Sequence, residues 1–148
     1  MQDIIRSHAK INLALNVTGK TRLLHKIETI VAFVSLHDEI SIKTINSNNH
    51  KISFIGKFSR GIKKQNTISK LLKILENKRL LINQKFRIKV KKNIPSKAGL
   101  GGGSMNAASI LSYLVKKKMV KMTPKKLTVI SRLVGSDVVL GLNYSNSI

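Results

Sequence analysis

Residues 94–108 read Ile94-Pro95-Ser96-Lys97-Ala98-Gly99-Leu100-Gly101-Gly102-Gly103-Ser104-Met105-Asn106-Ala107-Ala108. Four of the chain's nine glycines fall in this stretch. A residue without a Cβ reaches backbone angles closed to the others and lets a ligand approach the main chain. A strand-like run precedes the stretch and a helix-like run follows it. A glycine turn that opens a helix aims unpaired N–H groups and the positive end of the helix dipole at one point. That point suits an anion, most often a phosphate. Three consecutive glycines cost folding entropy and add no packing, so a ligand role outweighs a merely convenient turn. Ser104 either caps the helix or binds phosphate. The stretch is not a Walker loop, because no Gly-Lys-Ser/Thr closes it. It is not G-x-G-x-x-G either, because Asn106 stands where the last glycine belongs.

Working outward, Phe86, Ile88 and Val90 alternate with Arg87, Lys89 and Lys91, the pattern of a half-buried strand ending at Asn93. A helix is expected from about Ser104 to Lys118, burying Ala107, Ile110, Leu111, Leu114 and Val115. Upstream, Asn66 or Thr67 caps a helix running to about Leu81. Lys57–Lys64 reads as a basic loop. Lys51–Ile55 reads as a short strand that pairs back as a hairpin on Ile40–Ile45 across the turn Asn46–His50. His37-Asp38-Glu39 reads as a polar break after a buried strand, Ile27–Leu36. Ile4–Val17 reads as one long or two short strands ending in a turn at Thr18–Thr21. Within it Lys10 and Asn12 share a face, because side chains in a strand repeat with period two. Downstream, Thr123 and Pro124 open a helix that Gly135 stops, and Ser136–Leu140 begins another segment. The chain then runs out without a closing element, which suggests an absent second lobe.

Hydrophobic residues make up 42% of the 148 residues, enough for one folded domain. No apolar run approaches the roughly 20 residues of a membrane span, and the N-terminus lacks a signal-peptide core. A cytoplasmic protein is expected. There is no cysteine, so disulfides and thiolate metal sites are excluded, and His8, His25, His37 and His50 show no ligand spacing. The net charge is +22, with lysines scattered along the chain. That balance admits nucleic acid or acidic substrates as partners. Aromatics at 4%, with no tryptophan, supply few stacking platforms for single strands. Only Asp3, Glu28, Asp38, Glu39, Glu76 and Asp137 offer a carboxylate base.

Pro95-x-x-x-Gly99-Leu100-Gly101-Gly102-Gly103-Ser104-x-Asn106-Ala107-Ala108 resembles the phosphate loop of the GHMP kinases. Its triple glycine is similar to the branch of that family that acts on a cytidine-diphosphate-linked methylerythritol. Ala9-Lys10-Ile11-Asn12-Leu13 followed by Val17-Thr18-Gly19 resembles that branch's opening strand. His25-x-x-x-Thr29 resembles its substrate segment, and Gly135-Ser136-Asp137-Val138 its G-A-D-V-P. The four blocks occur in the family's order. There are departures: Leu24 replaces an aromatic, the preceding turn lacks Asp-Gly, and Val139 replaces a proline.

The resemblance implies a two-layer α+β fold over residues 1–148, the GHMP kinase N-terminal domain, with a mixed β-sheet packed against helices and the C-terminal lobe absent. It implies ATP with Mg2+ as phosphoryl donor and a small-molecule acceptor, the 2-hydroxyl of the cytidine-diphosphate-linked methylerythritol. It gives Asp137 the role of general base and Lys10 that of charge stabiliser. Pro95, Gly99, Leu100, Gly101, Gly102, Gly103, Ser104 and Asn106 would hold ATP. Asn12 and His25 would contact the acceptor, His25 by reading a cytosine edge. Glu28 and Asp38 receive no role. Two other readings stay open: a homoserine- or mevalonate-type kinase of the same family, and a non-catalytic basic module that binds nucleic acid.

Overall fold

The computed structural model describes residues 3–20 and 25–142, residues 25–27 by their backbone alone. Two long strands come first, β1 (Asp3–Lys20) and β2 (His25–Ile45). They are followed by β3 (Lys51–Ile55), α1 (Thr67–Asn77) and β4 (Lys85–Lys91). Three helices complete the order: α2 (Gly102–Lys116), α3 (Pro124–Val134) and α4 (Val138–Leu142). The strands form one mixed sheet in the order β1-β2-β4-β3. The first two junctions are antiparallel and the last is parallel. The fold is therefore the expected α+β arrangement of a mixed sheet and helices.

One face of the sheet carries the core. β4 alternates as its sequence dictates, with Phe86, Ile88 and Val90 fully buried and Arg87, Lys89 and Lys91 exposed. Ile40 and Ile42 of β2 join them. Helix α1 adds Ile68, Leu71, Leu72 and Leu75, and α2 adds Ile110, Leu111 and Leu114. Full burial of each such side chain stabilises the fold by about 1.5–3 kcal/mol before entropy is counted. Asn66 caps α1: its side chain accepts the N–H of Ile68 and Ser69, and Ser69 bonds back. Asp3 ties β1 to α2, accepting the Tyr113 hydroxyl at 2.6 Å and pairing with Lys117 at 3.0 Å. The Tyr113 bond, with Lys117 beside it, holds the Asp3 carboxyl below its ordinary range. Burial and the same Asp3 push the Tyr113 phenol up to about 12.

Several local expectations are corrected. Lys51–Ile55 does not fold back on Ile40–Ile45; it pairs parallel with β4, Ile52 opposite Ile88, after α1 carries the chain across. That placement buries Ile52 and Phe54 partly against the core, which a hairpin on β2 would forgo, since β4 already occupies that edge. The polar His37-Asp38-Glu39 does not break the strand, because Asp38 finds buried partners and β2 continues through it. Thr18–Lys20 continue β1, with Gly19 opposite Lys26 and Lys20 opposite His25. Helix α1 stops at Asn77 rather than Leu81. Arg79 takes a left-handed φ of 54°, and the Leu80 N–H turns back to the Leu75 carbonyl. Thr21, Leu24, the side chain of His25 and residues 143–148 lie outside the described residues. Among those described, no helix is long and apolar enough to cross a membrane.

Candidate active site

The glycine stretch links β4 to α2. Lys97, Gly99 and Gly101 have left-handed φ values of 61°, 73° and 66°, separated by residues that do not. Backbone that alternates in this way turns successive N–H groups toward one side and makes an anion-binding hollow. Gly101 is the N-cap of α2 and supplies no side-chain bond to it. The first N–H groups of the helix are thus left for a ligand. The expected start at Ser104 is moved back to Gly102, which brings Gly102 and Gly103 into the first turn. Thr67 closes the other side, donating its hydroxyl to the Gly103 carbonyl at 2.7 Å.

A cleft of about 580 Å³ opens over this loop. Pro95 and Gly99 through Ser104 line it, and Phe54, Ile62 and Ile68 give it an apolar wall. The residues present fit a nucleoside triphosphate: N–H groups at one end and a greasy surface at the other.

Lys10 lies across Gly101. Its main-chain N–H donates to the Leu100 carbonyl at 3.1 Å, which fixes β1 to the loop. A Cβ on Gly101 would stand 2.8 Å from Lys10 Cγ and 3.1 Å from Lys10 Cε. The lysine is therefore seated in the space that the missing side chain leaves. The β1–β2 register slips between His8 and Lys10 and again between Asn12 and Ala14. Bulges of this kind re-aim side chains and recur beside active sites. Lys10 Nζ donates to Asn12 Oδ1 at 3.1 Å and meets Asp137 Oδ2 at 3.2 Å. The Thr29 hydroxyl donates to the Ala14 carbonyl at 2.8 Å and lies 3.4 Å from Asn12 Oδ1. The Lys10 side chain is 6% exposed and that of Asp137 42%, so the carboxylate faces solvent from the rim while the ammonium lies beneath. Asp137 follows Gly135, where α3 stops, and Lys70 Nζ fixes that end by donating to the Val134 carbonyl at 3.0 Å.

Residues 66–145 match the family described as GHMP kinases N terminal domain. The chain belongs to the GHMP kinases. It is 58% identical over 144 residues to 4-diphosphocytidyl-2-C-methyl-D-erythritol kinase of Pelagibacter ubique, covering 97% of this chain and 51% of that one. It is 37% identical over 134 residues to the enzyme of the same name from Finegoldia magna, covering 90% of this chain and 48% of the relative. The chain thus spans about half the length of the curated relatives it matches. Among solved structures, a 4-(cytidine 5'-diphospho)-2C-methyl-D-erythritol kinase superposes with a TM-score of 0.72 at 29% identity, over 95% of this chain and 48% of that one. A homoserine kinase from Cytophaga hutchinsonii superposes with a TM-score of 0.61 at 19% identity, over 94% of this chain and 42% of that one, a likeness of fold alone.

Seen as a GHMP kinase domain, the structure brings Lys10, Asn12 and Asp137 together beside the loop. His25 enters β2 by its backbone. Asn106 is placed beneath the loop: it is buried, its Nδ2 donates to Asp38 Oδ2 at 2.9 Å, and its Oδ1 has no hydrogen-bond partner. Sequence reasoning passed over Asp38, Lys92, Thr67 and the apolar wall. Asp38 and Lys92 are an ion pair, both nearly or fully buried and 54 residues apart. The one local signal was a polar triplet, His37-Asp38-Glu39, between the apolar stretches on either side of it.

Proposed function

We propose that residues 1–148 form the ATP-binding half of a small-molecule kinase. Its acceptor would be the 2-hydroxyl of 4-diphosphocytidyl-2-C-methyl-D-erythritol, in non-mevalonate isoprenoid synthesis in the cytoplasm. The observation that carries this reading is the Lys10–Asp137 contact, 3.2 Å long, at the lip of an uncapped glycine loop. The names of the relatives supply the acceptor.

The loop N–H groups and the start of α2 would receive the phosphates, and Phe54, Ile62 and Ile68 the base. Asp137 is the one carboxylate at this lip among the described residues, and its partial exposure lets it meet an incoming alcohol. It takes the proton from the acceptor hydroxyl as that oxygen bonds to the γ-phosphorus and the bond to the β-bridging oxygen breaks. Lys10, held by Asn12 and Gly101, stabilises negative charge on the transferring group without having to reorganise. Asn12, turned toward Lys10 and exposed, and His25 would orient the acceptor. Magnesium would come with the nucleotide. Such an ion is commonly held by phosphate oxygens together with protein oxygen ligands, and here the Ser104 hydroxyl, which lines the cleft, would be the side chain to hold it. When bound, it neutralises charge on the phosphate oxygens.

The test is ATP consumption by this chain with the cytidine-diphospho acceptor, beside Asp137→Asn. Turnover is expected to fall by about 10²-fold or more in the variant, the usual contribution of a positioned base. Unchanged turnover in Asp137→Asn removes it as the base. Failure of the native chain to bind ATP by calorimetry removes the nucleotide reading altogether.

A further inference from the structure

The Asp38 carboxylate is fully buried, and everything it holds lies far along the chain. Its Oδ1 accepts the main-chain N–H groups of Asn93 and Ile94, each at 2.8 Å. Its Oδ2 accepts Asn106 Nδ2 at 2.9 Å and pairs with the Lys92 ammonium. Asn93 also donates its side-chain nitrogen to the His37 carbonyl at 3.0 Å. Asn93 and Ile94 are the last residues before Pro95, where the glycine stretch begins. Asn106 sits in the opening turns of α2, where it ends. One carboxylate therefore grips the entrance and the exit of the loop together. Lys92 is packed in the same knot, its Nζ 3.2 Å from where a Cβ on Gly102 would stand.

We infer that Asp38 is a positioning residue that sets the spacing of the phosphate loop, with Lys92 and Asn106 as its fixed partners. The inference rests on reading Gly99–Ser104 as a phosphate cradle. Loop N–H groups help an anion only if they are already aimed when it arrives. A loop with this much glycine does not aim itself. A buried carboxylate saturated with donors cannot drift, because any movement strands a charge or a donor away from water. The charge on Lys92 is matched by Asp38, so this lysine acts through the loop rather than as a free cation for phosphate.

Asp38→Asn keeps the shape and one acceptor oxygen for Asn93 and Ile94. It also turns Oδ2 into an amide nitrogen facing Lys92 and the Asn106 amide, donor against donor. Asp38→Asn combined with Asn106→Asp moves the carboxylate across the same contact and restores the hydrogen bond between positions 38 and 106, while Lys92 still faces an amide nitrogen. The full chain and both variants are compared by calorimetry with ATP, tripolyphosphate and adenosine, and by hydrogen exchange of the 99–105 amides. In Asp38→Asn, ATP and tripolyphosphate affinity is expected to fall about tenfold or more, the effect of mis-set charge-assisted bonds. Adenosine binding stays within about twofold, and exchange over 99–105 accelerates. The double variant regains about threefold or more of the lost phosphate affinity, as a restored neighbouring pair does in a mutant cycle.

Equal losses for adenosine and tripolyphosphate would mean general collapse and overturn the assignment. So would native-like affinity and exchange in Asp38→Asn, or a folded double variant as weak as the single one. If the native chain binds no ATP, the phosphate reading fails by itself. The exchange data then still decide the clamp: faster exchange that the double variant reverses upholds it, and unchanged exchange overturns it.

Discussion

The two ends of the β1–β2 ribbon are built from the same two strands yet live in different surroundings. At one end Ser7, Ala9, Asp38, Ile40 and Ile42 are buried under the helices, and the Asp38 carboxylate there is matched by Lys92, Asn93, Ile94 and Asn106, while the Ser7 hydroxyl has no hydrogen-bond partner. At the other end Leu13, Leu15, Val17 and Ile30 stand 63%, 55%, 63% and 62% exposed. Lys10 sits at the boundary, its stem buried and its ammonium turned toward Asn12 and Asp137. The buried end can hold a loop in one arrangement, because close packing leaves little room for another. The exposed end offers surface instead, and it carries the backbone of His25. The proposed reaction uses both: a rigid cradle for the donor and an accessible edge for the acceptor.

The sharpest way to break this contrast is to open the buried end. Phe86→Ala removes a ring that is fully buried between β4 and the helices. It is expected to lower unfolding free energy by about 3–5 kcal/mol in urea melts. A loss under about 1 kcal/mol would mean that this end is far looser than its packing implies.

The next largest effect lies at the boundary. Gly101→Ala places a methyl 2.8 Å from Lys10 Cγ at a left-handed φ of 66°. The backbone alone costs about 1–2 kcal/mol, and Lys10 must leave its seat. Stability is expected to fall by that amount and ATP turnover by more than stability explains. Native turnover in a folded Gly101→Ala would show that Lys10 is not held by this contact.

A smaller effect tests a partly buried polar cluster between α1 and the start of β4. His50 Nδ1 accepts the Phe86 N–H at 3.0 Å, so its hydrogen is on Nε2, facing Glu76 Oε1 at 3.0 Å. Burial holds this imidazole below its ordinary 6.5, and Lys85 adds to that, although Glu76 opposes it. The unfolded imidazole therefore takes up its proton first, and stability must fall as pH drops below 6.5 toward the folded value. Burial alone would raise the Glu76 carboxyl, but Lys85 and His50 outweigh it and hold it below 4.5, so its contribution is lost at lower pH. Melting temperatures at about pH 7.5 and about pH 5.5 bracket the histidine step. The gap should shrink in His50→Gln, and a gap of the same size would assign the pH dependence elsewhere.

The smallest effect belongs to the exposed end. Leu15→Gln is expected to change stability by no more than about 0.5 kcal/mol, because the side chain is already 55% exposed. A loss of several times that figure would show that this end is covered in solution, and it would erase the contrast.

What the sequence made legible follows from range. Alternation in Phe86–Val90 and the stripe of α2 are local signals, and both hold in the structure. The glycine loop is local too, and the family it resembles is the one the chain matches. Helix ends were less legible, because Gly102 and Gly103 read as loop residues until Gly101 is seen to cap α2 from a left-handed φ. β3 was misplaced for a different reason. Pairing with β2 or with β4 satisfies the same pattern, and only the path of α1 decides. Asp38 was illegible, since a polar triplet between two apolar stretches signals a break unless its partners are known. Those partners are residues 92, 93, 94 and 106, with no spacing rule to connect them.

That distance also orders events in time. β1 and β2 are neighbours along the chain and can pair early, whereas the Asp38 contacts close loops of 54 to 68 residues and carry the entropy of doing so. On a ribosome, Asp38 is made long before Asn106 exists to meet it. Until then the carboxylate lacks one of its partners, and the loop between Ile94 and Asn106 cannot be gripped at both ends.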